Sequence, residues 1–173
     1  RLYQIQVIPG LLQTPEYASA VLRAHYRSEP PEQIERRVKL RMARQQLVID
    51  QNNTPIWAVL DEAVLRRRMG PPEVMQSQYR RLVEFCEKNN ITIQVLPLDA
   101  AVFTGVPGGF TIIRLPHPDP EVAVIEYEGG LLYLEQSADV TAHTHLFDRL
   151  IATAIGPEES LSYISDLAKL DVE

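Results

Sequence analysis

Arginines dominate the chemistry this sequence could do. Arg37, Arg41 and Arg44 recur at i, i+4 and i+7, the spacing that places side chains on one face of a helix, and Gln45 follows directly. The planar guanidinium fork suits a carboxylate or the anionic group of a ligand. Two kinds of partner are open to it: a bound guest, or an internal ion pair with Glu62 or Glu126, each beside a strand-like run. Glu62 comes just after the apolar run Ile56–Leu60. A carboxylate past a strand end can serve a ligand, and it can equally favour the start of a helix, here through Ala63-Val64-Leu65. The amide of Gln13 sits in a turn where backbone or ligand is within reach. Trp57 and Tyr133 are the aromatics best suited to a pocket wall, because each has a polar tip that needs a partner when buried. Phe110 opens an apolar strand beside a glycine-rich segment. The candidate ligand-binding set is Gln13, Arg41, Arg44, Gln45, Trp57, Glu62, Phe110, Glu126 and Tyr133.

Other chemistries find little support. His143 and His145 lie two apart in a helical stretch, about 200° around the axis, whereas helical ligand pairs need i, i+3 or i+4. His25 and His117 are isolated, so neither a metal nor a cofactor is expected. Ser160, in Glu-Glu-Ser-Leu, reads as helix capping, and no Gly-x-Ser-x-Gly elbow is present. Gly105-Val106-Pro107-Gly108-Gly109 lacks the lysine and following helix of a phosphate loop; within Asp99–Gly109 it reads as a turn or a lid beside Phe103 and Phe110. No catalytic residue is assigned.

The elements that must position these residues begin with a strand over Tyr3–Ile8, alternating Tyr3, Ile5, Val7 against Gln4, Gln6. Pro9-Gly10 ends it. Leu11-Leu12 must be buried, and Thr14, Pro15 and Glu16 have the types that begin a helix, which runs to about His25. Pro30-Pro31 opens a second helix to about Val48, in which Arg41 and Gln45 continue the inward stripe of Ile34 and Val38. Polar groups on such a stripe are costly without partners. A polar turn, Asp50–Thr54, leads to the strand Ile56–Leu60. Asp61 can cap a short helix to Arg68. A helix from Pro72 to about Lys88 carries Met75, Tyr79, Leu82 and Cys86, and the strand Ile91–Leu96 follows. Phe110–Leu115, Val122–Tyr127 and Leu131–Leu134 form an antiparallel meander. Ser137 can cap a helix to about Ile155. A last helix from Pro157 presents Leu161, Ile164, and Leu167 or Ala168. Helices separate the early strands and the late strands adjoin, which predicts one α+β domain over 1–173. Its mixed sheet has about six strands and five or six helices, mainly on one face. The last two helices either close the core or form a dimer surface.

The sequence has 45% hydrophobic residues, enough for a core, and no apolar run near the ~20 residues of a membrane span. A net charge of −6 argues against DNA binding by this stretch itself. The single cysteine, Cys86, allows no internal disulfide; it reads as a core residue beside Leu82 and Phe85 and fits a reducing cytoplasm.

Several motifs, in order along nearly the whole chain, carry a resemblance. They are Pro-Gly-Leu-Leu-Gln-Thr-Pro-Glu-Tyr-Ala (9–18), Arg-Met-Ala-Arg-Gln (41–45), Val-Leu-Asp-Glu-Ala-Val-Leu-Arg-Arg (59–67), Gln-Val-Leu-Pro (94–97) and Glu-Glu-Ser-Leu (158–161). Together they resemble an actinobacterial domain of unknown function that follows an Xre-type helix-turn-helix in antitoxin-like transcriptional regulators. The resemblance implies a regulatory role, a DNA-binding head upstream of Arg1, and no agreed ligand or catalytic residue. The reading is an effector-sensing and dimerisation domain, partnered by a small molecule or a protein, homodimeric, and touching DNA only through that head. Two alternatives stand beside it: an enzyme of cyclisation or isomerisation type using Arg41, Glu62 and Tyr133, and an antitoxin-like protein-binding module.

Overall fold

A computed structural model describes residues 1–100, 108–115, 121–127 and 130–169. It shows an α+β fold around a six-stranded mixed sheet of order β3-β2-β1-β4-β5-β6. The strands are β1 (Leu2–Gln4), β2 (Ile56–Asp61), β3 (Ile91–Leu96), β4 (Phe110–Arg114), β5 (Glu121–Tyr127) and β6 (Gly130–Leu134). The helices are α1 (Pro15–His25), α2 (Pro31–Gln45), α3 (Glu62–Arg66), α4 (Pro72–Cys86), α5 (Ser137–Thr153) and α6 (Pro157–Lys169). β1, β2 and β3 run parallel, joined through helices, while β4 turns the direction and the meander β4-β5-β6 is antiparallel.

Residues facing each other across the ladder share a face of the sheet. One face carries Leu2, Ala58, Leu60, Ile93 and Val95, which pack with Tyr17 of α1, Met75, Leu82 and Phe85 of α4, and Ile164 of α6. The opposite face carries Tyr3, Val59, Leu96, Phe110 and Ile112, covered by Phe147 and Leu150 of α5. Burial on both faces explains why β2 reads as a continuous apolar run. The last two helices therefore close the core from opposite sides.

The strand expected over Tyr3–Ile8 is shorter and begins earlier, at Leu2. Beyond Gln4 the backbone finds side-chain partners instead of a ladder. Arg67 donates to the carbonyl of Gln6, Gln13 donates to that of Ile8, and the Ile8 N–H donates to the Tyr17 hydroxyl. Every buried backbone group needs a partner, and here side chains supply it, so no strand is required. α2 ends at Gln45 and continues as a wider π turn over Gln46–Gln51, so the helix expected to Val48 changes its winding before it stops. Asn53, at φ 47°, then reverses the chain, a conformation asparagine tolerates better than most residues.

Two expected caps hold. Thr14 accepts from the Tyr17 N–H at 3.2 Å, and Asp61 accepts from the Ala63 N–H at 2.9 Å. Two do not. Ser137 is already the first helical residue of α5, one place late for its hydroxyl to reach an orphan N–H. Ser160 lies inside α6, where its hydroxyl is fully buried at the border of β3. It accepts from the Val95 N–H at 2.9 Å and donates to the Ile155 carbonyl at 3.2 Å. The Ile155 N–H in turn donates to the Val95 carbonyl at 3.0 Å. The connection between α5 and α6 thus caps the outer edge of β3 at Val95. Among the described residues no strand covers the outer edge of β6.

Candidate functional site

The chain from Pro9 to Thr14 forms a 3-10 turn over Gly10–Leu12, inserted between α2 and α4. Leu12 is fully buried, as a greasy turn requires. Burial strands the backbone polar groups of this turn, and three side-chain amides satisfy them. Gln45 donates to the carbonyls of Leu11 (2.8 Å) and Gln13 (3.0 Å). Gln78 accepts from the Thr14 N–H (2.8 Å) and donates to the Leu12 carbonyl (2.7 Å). Gln13 donates to the Ile8 carbonyl and accepts from Arg41 Nη1, both at 2.6 Å. All three glutamines are buried.

On this clasp rest two guanidinium groups. Both lie close over Gly10: a Cβ there would stand 3.2 Å from Arg44 Nη2, which would have to give slightly, and 3.5 Å from Arg41 Nε, an ordinary contact. Arg41 is half-buried and Arg44 exposed. Burial pushes the Arg41 pKa down and Arg44 lowers it further, while Glu126 and Tyr26 act the other way. Among the described residues neither arginine has a carboxylate within the 4.0 Å of a salt bridge. Arg37, on the same helix, is spoken for: it grips Glu29 at 2.6 and 2.8 Å and lies 4.0 Å over the Tyr26 ring. The internal pairing of these arginines with Glu62 is not what the fold does. Glu126 stands on β5, exposed, and acts on Arg41 through charge at longer range.

Glu62 has its own partners. Its carboxylate accepts from the Leu98 N–H at 2.9 Å, from the Tyr163 hydroxyl at 2.7 Å and from Arg66. Burial alone would raise its pKa, but those donors outweigh it and hold it below the usual carboxylate value. Burial, and after it the bond to Glu62, pushes the Tyr163 hydroxyl up to about 12. Glu62 therefore ties α3, α6 and the end of β3 together.

The aromatic candidates are spread out. Trp57 is 37% exposed, donates from Nε1 to Gln94 Oε1 at 2.8 Å and meets Phe147 edge-on. Phe110 is buried under α5 among Tyr3, His143 and Phe147. Tyr133 is 57% exposed on β6. Trp57 and Phe110 thus lie on the α5 side of the sheet. Glu126 and Tyr133 lie on the other side, at its β6 border. Four strand spacings separate β2 from β6, about 19 Å. The nine candidates resolve into one assembled group, Gln13, Arg41, Arg44 and Gln45, with Glu126 at longer range, and four residues that serve other parts of the fold.

Two surface grooves lie elsewhere. One, of about 200 Å³, is bounded by Leu65, Arg66, Met75, Tyr79 and Leu167. The other, of about 240 Å³, is bounded by Cys86, Ile91, Ile93 and Leu161. Burial pushes the Cys86 thiol up to about 11, which suits a packing role. His143 donates from Nδ1 to the Asp139 carbonyl, 2.8 Å away, with its ring edge on Phe110. Phe103, His117 and the glycine-rich stretch up to Pro107, read as a lid, lie outside the described residues.

Sequence reasoning missed Gln78, Gln94 and Tyr163. Gln78 had a signal: it stands three after Met75 and four before Leu82, a polar residue on an apolar stripe, the same mark that singled out Arg41 and Gln45. Gln94 sits in mid-strand, which was read only for alternation. Nothing local marks Tyr163 as the partner of a residue 101 positions away.

Residues 1–166 match the model of the family described as Domain of unknown function (DUF5753), and the chain belongs to that family. No curated protein matched it, and no solved structure did. No helix among the described residues is long and apolar enough to cross a membrane.

Proposed function

We propose that this is the sensing and dimerisation domain of a transcriptional regulator with an Xre-type helix-turn-helix before Arg1, working in the cytoplasm, and that Arg41 and Arg44 receive an acidic group from an effector or partner protein. One observation carries the reading: two neighbouring guanidinium groups are held against a buried turn with no carboxylate at salt-bridge distance among the described residues. Like charges kept together, one of them half-buried, are costly unless an anion offsets them. A bidentate anion would do so with the geometry that arginine favours.

The turn beneath the arginines supports a signalling role. It is gripped from α2 by Gln45 and from α4 by Gln78, so a shift of Arg41 is passed through Gln13 to both helices. An anion preferring one arrangement would bias the whole pair, and the relative placement of two DNA-binding heads with it.

The test is thermal unfolding of the full-length protein with inorganic phosphate, di- and tricarboxylates and an acidic peptide as probes. At least one acidic probe should raise the melting temperature. Arg41→Ala and Arg44→Ala should each abolish that shift, and Arg41→Lys should recover only part of it. Indifference of the wild type to every acidic probe, or a shift that both alanine variants retain, would sink the anion-receiving role. A full-length gene without a helix-turn-helix ahead of Arg1 would sink the regulatory reading.

A further inference from the structure

The two borders of the sheet are treated differently. Ser160 and Ile155 occupy the polar groups of Val95 on the β3 side. β6, at the other side, is Gly130-Leu131-Leu132-Tyr133-Leu134, with no charge, proline or bulge of the kinds that normally guard an edge. Leu131 is 50% exposed, Leu132 47% and Tyr133 57%, and Tyr127 at the end of β5 is 59% exposed. Their side chains alternate, so Leu131 and Tyr133 lie on one face of the sheet and Leu132 with Tyr127 on the other. A helix laid on one face would leave the other wet. Only an element that extends the sheet covers both.

We infer that β6 is the dimer seam, paired antiparallel with β6 of a second copy about a two-fold axis at Leu132. This rests on the dimeric part of the function proposed above and names its surface. The strand is self-complementary in that register. Leu132 meets its own counterpart on one face, and Leu131 meets Tyr133 twice on the other, an aliphatic–aromatic pairing that sheets favour. The backbone agrees. β6 pairs with β5 so that Tyr127 lies opposite Gly130 across a two-residue connection. In such a hairpin Gly130, Leu132 and Leu134 turn their polar groups to β5, leaving those of Leu131 and Tyr133 outward. The two-fold register joins all of these outward groups and strands none. The exposed side chains of Tyr127, Leu131, Leu132 and Tyr133 supply on the order of 500 Å² per copy, against about 800 Å² per partner in a standard interface. Glu135 lies beyond the paired span, so the seam itself brings no like charges face to face.

The experiment combines sedimentation equilibrium and cysteine cross-linking on the full chain in a Cys86→Ala background. The unsubstituted protein should sediment at twice the chain mass. Leu132→Lys should raise the dissociation constant at least tenfold. So should Leu131→Pro, which removes only an outward N–H. Both should keep the wild-type circular dichroism. Leu132→Cys should form a disulfide-linked dimer under mild oxidation; Leu131→Cys alone should not, but Leu131→Cys mixed with Tyr133→Cys should. A wild type that stays monomeric at 100 µM would overturn both the seam and the dimeric reading. A dimer that survives Leu132→Lys and Leu131→Pro, or cross-links equally through Leu131→Cys alone, would overturn the seam and leave dimerisation standing. A monomeric chain that pairs through β6 with a strand of another protein would overturn both.

Discussion

Gln78 shows how much one amide can hold. It is fully buried, and its two ends satisfy the Thr14 N–H and the Leu12 carbonyl. Gln78→Ala leaves both groups buried and unpaired, so we expect a loss of about 2–4 kcal/mol, read as a fall in the urea midpoint with unchanged slope. Gln78→Glu keeps an acceptor for Thr14 but turns a carboxylate on the Leu12 carbonyl; it should be worse at pH 8 than at pH 4, where the protonated acid can donate. Glu62 gives a second pH effect. Its folded pKa lies below the ordinary 4.5, so its contribution is present above that value and is lost as pH falls through the folded pKa. Glu62→Gln should therefore be clearly less stable than wild type at pH 7, and the gap should narrow towards pH 3. A gap that stays constant with pH would show that the charge of Glu62 contributes nothing. The buried polar stripe of α2 was legible in the sequence because helical spacing points Arg41 and Gln45 inward. What they touch was not legible, since Gln13 lies 28 positions from Arg41 and competes with every other acceptor the fold brings near.

At the scale of elements, most strands and helices fall where periodicity and turn residues put them, because each has a strong local pattern. The exceptions are places where tertiary partners replace local ones. β1 stops at Gln4 because side chains of Gln13, Tyr17 and Arg67 take over its backbone groups. Ser160 looks like a cap but is drawn to the border of β3. The junction of β1 with β4 leaves little room for a side chain at Gly109. A Cβ on Gly109 would lie 2.7 Å from Gln4 Oε1 and 3.0 Å from the Tyr3 carbonyl oxygen. The glutamine can swing away, but the backbone oxygen must be pushed. Gly109→Ala should cost about 1–3 kcal/mol and loosen the start of β4, seen as faster amide exchange at Phe110 and Ile112. Exchange unchanged at both amides would mean that the strand absorbs the methyl without moving.

For the molecule as a whole, six strands and the helices on both faces leave few ways to grow. The α5–α6 connection binds Val95 on both its backbone groups, so a strand joining on that flank would have to displace it there. Association through β6 is then self-limiting. Once two copies have met, the combined sheet ends in two flanks that are each capped at Val95, which leaves a third copy no complete edge to add to. Concentrated solutions should accordingly plateau at a single size in light scattering instead of drifting into fibrils, the usual fate of a bare greasy strand. The serine of an otherwise ordinary helix would thus act as the stop that makes such a strand safe to carry.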